Sequence, residues 1–280
     1  MRLLALLAIF AIGCVSIESL KALVVGEPIY NKVELLNINV EAFPSVVEGG
    51  KSTSIVLTAS NNGNTTLENV KVAVTDPCTL KFDTSSFSKD KIAPARFESW
   101  EWKASTSPVD IRRDCKVRYT LSYDSTAFIF YDISAISEDE YSRLLKSKTL
   151  EKEIQLKQVK TKTPIDIQIS VNKEQPLISG TEFLFYVQLL DTGVGEPELK
   201  ELKIKYPDYL TLMECDDLQG SNGELTLKGK LDFLERKTKR MTCKFSVNKD
   251  IVIKEIRPFE GSATYKYSQT NEVNIQVVPK

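Results

Sequence analysis

Histidine is absent from all 280 residues of the chain. That removes the Ser-His-Asp and Cys-His nucleophiles, the HExxH zinc site and His-ligated iron or copper. It also removes the side chain whose ordinary pKa lies nearest neutrality. A charge excess is missing too: 37 Lys and Arg stand against 38 Asp and Glu. A surface that neutralises many phosphates carries a basic excess, so nucleic acid and anionic membrane surfaces are not expected partners. The chain lacks a Gly-rich phosphate loop and a nucleophile elbow, and no motif calls for a cofactor. Carboxylate pairs are plentiful among 38 acids, but none stands out as a general acid and base, so catalysis is not expected. What is present is 42% hydrophobic and 27% charged residues, enough apolar material for two domains with cores of their own.

Long apolar runs are also scarce, and the main one is at the N-terminus. Arg2 precedes an uncharged stretch, Leu3 to Ile17, that ends at Glu18. As a helix it spans roughly 22 Å, short of the roughly 30 Å hydrocarbon core, so it reads as a secretory signal over residues 1–22. Within it, Ala11-Ile12-Gly13-Cys14 resembles a lipobox. That resemblance implies lipidation of Cys14 and an N-terminal tether; the alternative is that Cys14 is discarded with the signal. Beyond Cys14 the chain has Cys78, Cys115, Cys215 and Cys243. In an exported protein four cysteines read as two disulfides, with three connectivities open. Their spacing lacks the CxxC pairs of a zinc site.

The remainder repeats itself. Gly50 and Gly63 are 13 residues apart, as are Gly180 and Gly193. Between them Ile55, Leu57 and Ala59 alternate with polar residues, and Phe185, Val187 and Leu189 form the matching row 130 residues later. Period-2 rows beside turn glycines are half-buried strands. The turns read Asn61-Asn62-Gly63-Asn64-Thr65-Thr66 and Asp191-Thr192-Gly193-Val194-Gly195, and each leads into a second strand, Val70–Val74 or Leu202–Tyr206. Later, Trp100, Trp102 and Ala104 match Met241, Cys243 and Phe245; Tyr119–Tyr123 matches Ala263–Tyr267; and Ile154–Leu156 matches Val273–Val277 as a closing strand. About seven short strands per unit suit an immunoglobulin-like sandwich. The expected fold is all-β: two tandem sandwiches over residues 30–160 and 164–280, joined at Thr161-Lys162-Thr163-Pro164. This division favours Cys78 with Cys115 and Cys215 with Cys243, each bridge contributing about 3.5–4 kcal/mol on the chain-entropy model.

The strand after Gly50, the Asn61–Asn64 turn and the Leu67–Val72 continuation resemble the cell-adhesion-related, S-layer-associated sandwich domains of prokaryotic envelopes. The resemblance implies an extracellular binding, adhesion or scaffold module and transfers no active site. Expected partners are other cell-surface or envelope proteins and glycans, with membrane attachment only through the N-terminal signal or a lipid anchor. A different class of function, an extracytoplasmic assembly chaperone or accessory lipoprotein presenting an open strand edge, stays open, as does a carboxylate-dependent hydrolase.

The two units differ most before their closing strands. Tyr123 to Ile154 is 31 residues and Tyr267 to Val273 only 6, so an insertion is expected over 125–150. It contains Phe128, Phe130 and Tyr131, then a capping-box pattern from Ser137 to Glu140 ahead of Tyr141, Leu144 and Leu145 at helical spacing. These six apolar residues are the candidate partner-binding surface, or else they lengthen a core hairpin and cap the sandwich. Asn64-Thr65-Thr66 is an N-glycosylation sequon placed in a turn. Asp216, Asp217 and Glu224 gather carboxylates near glycines in a loop, a weak cation site that does not follow calcium-loop spacing.

Overall fold

Strict alternation of buried and outward residues organises most of the chain into β-strands. The computed structural model describes residues 32–280; the expected signal sequence and Cys14 lie outside the described residues. In chain order the strands are β1 (Leu36–Phe43), β2 (Val46–Glu48), β3 (Ser52–Asn61), β4 (Leu67–Asp76), β5 (Lys81–Phe82), β6 (Ser86–Ile92), β7 (Phe97–Ser105) and β8 (Arg113–Ile136). Two helices follow, α1 (Glu138–Ser147) and α2 (Leu150–Glu153). Then come β9 (Gln158–Lys160), β10 (Ile165–Val171), β11 (Leu177–Ile178), β12 (Glu182–Asp191), β13 (Glu196–Lys205), β14 (Leu210–Cys215), β15 (Leu218–Ser221), β16 (Glu224–Leu227), β17 (Met241–Val247) and β18 (Lys254–Val278).

The fold is all-β, built from three largely antiparallel sheets. Two four-stranded sheets have the orders β1-β3-β7-β5 and β10-β12-β17-β14. The third runs β15-β16-β13-β18-β8-β4-β6 and is shared by both halves of the chain. The pairing follows the internal repeat residue by residue. The sequence equates Ile55 with Phe185 and Trp102 with Cys243, and Ile55 pairs with Trp102 as Phe185 pairs with Cys243. Gly50 and Gly180, each just before its strand, both adopt positive φ, 83° and 74°, which glycine tolerates without strain.

The shared sheet depends on β8 and β18, which are joined antiparallel by 24 residue pairs. Its order is symmetric about that pair, with β4 and β6 on one side answering β13 and β16 on the other. The equated Tyr123 and Tyr267 sit directly opposite each other at the middle. One small sheet packs on one end of this platform: Trp102 of β7 meets Tyr119 of β8 and Phe87 of β6 at ring separations of 5.9 and 5.8 Å. The other small sheet packs on the opposite end, where Phe185 of β12 stacks on Phe259 of β18 at 4.4 Å. Buried side chains of both halves join one apolar core, and Val33–Lys280 is one compact unit. The two expected disulfides are present, Cys78–Cys115 and Cys215–Cys243.

Three expectations change. Residues 125–136 belong to no insertion; they continue β8, with Ser125, Ala127, Ile129 and Ile133 still facing the core. The expected break between Tyr267 and Val273 is likewise absent, because β18 runs unbroken from Lys254 to Val278. Ile154–Leu156 is not a closing strand: it lies between α2 and β9, outside any strand. In both long strands small polar residues, Ser125, Gln269 and Asn271, interrupt the apolar row without interrupting the backbone ladder. Only the N-cap half of the expected capping box forms: Ser137 Oγ accepts the Glu140 amide at 3.3 Å, while the Ser137 amide donates to the Ile253 carbonyl and the Glu140 carboxylate pairs with Arg143.

Candidate functional site

The polar residues at the middle of β8 and β18 meet the two equivalent turns. At the end of β3, Asn61 Oδ1 accepts the Gly63 amide at 2.9 Å, and its Nδ2 donates to the Thr65 and Ile92 carbonyls, each at 2.9 Å. At the end of β12, Asp191 Oδ1 accepts the Gly193 amide at 3.0 Å. As a carboxylate Asp191 has nothing to donate, and its other partners are donors. Tyr267 Oη donates to Oδ1 at 3.1 Å and Arg236 Nη2 to Oδ2 at 3.2 Å. Tyr267 in turn accepts the Gly195 amide at 2.8 Å. A Cβ on Gly193 would collide with the Tyr267 hydroxyl, so glycine is what lets the ring reach the turn. Arg236 also donates to the Gly193 carbonyl.

Asp191 is 5% exposed. Burial holds its carboxyl above the usual carboxylate range, against the opposing pull of the Gly193 amide, the Arg236 guanidinium and the Tyr267 hydroxyl. Burial likewise pushes the Tyr265 hydroxyl up to about 12 and the Tyr123 and Tyr267 hydroxyls upward. The Tyr123 and Tyr265 hydroxyls are buried without a well-formed hydrogen bond, Tyr265 lying toward Ser125 and Thr163. This network locks a turn onto the shared sheet. Asp191 and Tyr267 were not singled out in the sequence; the Asn61/Asp191 correspondence was the available signal.

The expected partner-binding residues separate into two groups. Phe128 and Phe130 lie on the outward side of β8, 43% and 44% exposed, and Phe130 pairs across the ladder with Val159 of β9, which is 59% exposed. Around them the same face is polar: Thr126 meets Thr264 at 3.2 Å and Lys200 pairs with Asp124 at 2.7 Å. Tyr131 is half-buried against the core and accepts a hydrogen bond from Gln175 at 3.4 Å. On α1, Leu144 is buried, Tyr141 half-buried and Leu145 exposed. Leu144 is therefore turned inward and shares no surface with Phe128.

The loop of Asp216, Asp217 and Glu224 holds its own cations. Lys239 pairs with Asp217, and Lys228 Nζ donates to the Cys215 and Asp216 carbonyls at 2.7 and 2.9 Å. Among the described residues no group of three or more Cys, Asp or Glu side chains is placed to hold a metal ion. Asn64 is exposed in its turn, as is Thr66. Thr65, Thr66, Glu68, Asp124, Thr126 and Phe128 line a groove of about 320 Å³ beside it. A second cleft, about 520 Å³, brings Asp208, Asp250 and Glu255 together with Lys254 and Arg257 near the start of β18.

The two disulfides mark an oxidising, extracytoplasmic location. Among the described residues no helix is long and apolar enough to cross a membrane. No protein-family model and no curated protein matches the chain. Among solved structures it is similar to the chitinase ChiA74 from Bacillus thuringiensis, at 12% identity and a TM-score of 0.20, over 85% of this chain and 31% of that one. It is similar also to a variant of the Salmonella alpha-2-macroglobulin, at 12% identity and a TM-score of 0.15, over 85% of this chain and 16% of that one. The chain spans less than a third of either neighbour, and at these TM-scores neither likeness carries an argument about fold or activity.

Proposed function

We propose that this protein is an exported binding or scaffold component of a cell envelope, and that it contacts a neighbouring envelope protein through the outward face of β8 and β9. The supporting observation is the contiguous trio Phe128, Phe130 and Val159, standing out from a face otherwise made of threonines and ion pairs. Grouped aromatic side chains ringed by polar ones are how a protein contact is anchored. Phe128 and Phe130 project from β8, which is paired with β18 along its length, so little ordering of these two is required on binding. The two disulfides support the compartment, and the likeness of the Gly50–Val72 stretch to envelope adhesion domains supports the class.

The chaperone reading draws less support. It needs an inviting open edge, and β6, one of the two end strands of the shared sheet, carries exposed Lys89, Asp90 and Lys91 along its length. Charges of this kind discourage edge pairing. The docking role is tested by crosslinking on intact cells with the double variant Phe128→Ser, Phe130→Ser. The wild type is expected to capture a neighbour that the variant loses while keeping its melting temperature. An unchanged crosslinking pattern in the folded variant would rule the role out.

A further inference from the structure

We propose that Asn64 is an N-glycosylation site and that the first sugar attached there rests in the groove beside Phe128. The inference needs export through an oxidising compartment but not the docking role. Three observations carry it. Asn64-Thr65-Thr66 satisfies the acceptor pattern, with both Asn64 and Thr66 exposed. The tripeptide lies in the irregular segment between β3 and β4, and the turn there is held by Asn61 and not by Asn64, leaving the Asn64 amide free to react. The adjoining groove combines the Thr65, Thr66 and Thr126 hydroxyls and the Asp124 carboxylate with the ring of Phe128. That mixture suits a sugar, whose hydroxyls take the polar groups and whose C–H face lies on an aromatic ring. Phe130 and Val159 do not line this groove, so the glycan lies against Phe128 and leaves the other two members of the apolar trio open.

The transfer requires a polyprenyl-phosphate-linked oligosaccharide as co-substrate and involves no oxidation or reduction. Asn64 Nδ2 forms a bond to the anomeric carbon of the donor, whose bond to the phosphate oxygen breaks. The lipid-linked phosphate leaves with the electron pair, and the proton lost from Nδ2 passes to a base of the transferase.

The test is the mass of the tryptic peptide Ser52–Lys71 from protein purified from its native host. The wild-type peptide is expected to carry at least one hexose or N-acetylhexosamine. Asn64→Gln and Thr66→Ala should each abolish the increment, and Thr66→Ser should retain it. A wild-type peptide with no increment overturns the site, and so does an increment that survives Asn64→Gln, which would place the sugar on a hydroxyl. Phe130→Ser, which changes the apolar trio outside the groove, keeps the increment under this proposal. Loss of docking and loss of glycosylation are therefore read separately.

Discussion

Asn61 and Asp191 close equivalent turns and differ by one atom type, an amide nitrogen against a carboxylate oxygen. In the first half that nitrogen donates to two backbone carbonyls, and the turn is satisfied by main chain alone. In the second half the carboxylate must be supplied with donors, and Tyr267 and Arg236 supply them. The charge thus recruits a residue from the middle of β18 and one from the long loop before β17. The neutral turn reaches the sheet centre only through a 3.4 Å contact from Thr65 to Ser125, whereas the charged turn is fastened to it by Tyr267.

The largest test of this comparison concerns whether the halves unfold apart. Trp102→Ala in the first half and Phe245→Ala in the second each remove a fully buried ring from an aromatic cluster and should cost about 3–5 kcal/mol. Because β8 and β18 run through both halves, each variant should still show a single urea transition by fluorescence and circular dichroism. Two separated transitions would mean the shared ladder does not couple them.

Next in size is the tyrosine pair. Tyr267→Phe removes a donor to Asp191 and should cost about 1–3 kcal/mol. Tyr123→Phe, directly opposite, removes a hydroxyl that has no hydrogen-bond partner and should stay within about 0.5 kcal/mol of wild type or stabilise. Equal losses from the two would remove the special status of Asp191.

The smallest effect is on pH. Asp191 in the folded chain titrates above its usual 3.8, so the native state holds its proton where the unfolded chain has lost it. Its contribution to stability therefore grows as pH falls through the raised folded value and levels off below 3.8. Asp191→Asn has no such titration, and the stability difference between wild type and Asp191→Asn should shift toward wild type on acidification. A difference that is flat with pH across that window would contradict the assigned direction.

Much of the second-layer structure was legible in the sequence, because alternation is a strong signal where one face is buried: β3, β7, β12 and β17 follow from it directly. Ser137 and Glu140 announced α1 by side-chain chemistry alone. The long strands were not legible. Ser125, Gln269 and Asn271 place polar groups at inward positions, which locally resembles a turn, although the ladder between β8 and β18 runs on past them. The candidate site divided in the same way. Exposure of Phe128 and Phe130 follows from their register on β8, but Leu144 had no sequence mark to separate it from Leu145. Asp191 was visible as a turn residue, while its bond to Tyr267 spans 76 residues of chain and depends on the fold.

The antiparallel run of β8 against β18 has a mechanical meaning. At about 3.3 Å per residue, 24 paired residues extend close to 80 Å, several times the length of an ordinary strand. A load applied along that axis is resisted by the whole ladder in shear, every rung sharing the force, whereas a load across it would peel the rungs one at a time. The two halves are thus joined along the full length of one ladder, and pulling them apart along it requires every rung to give at once.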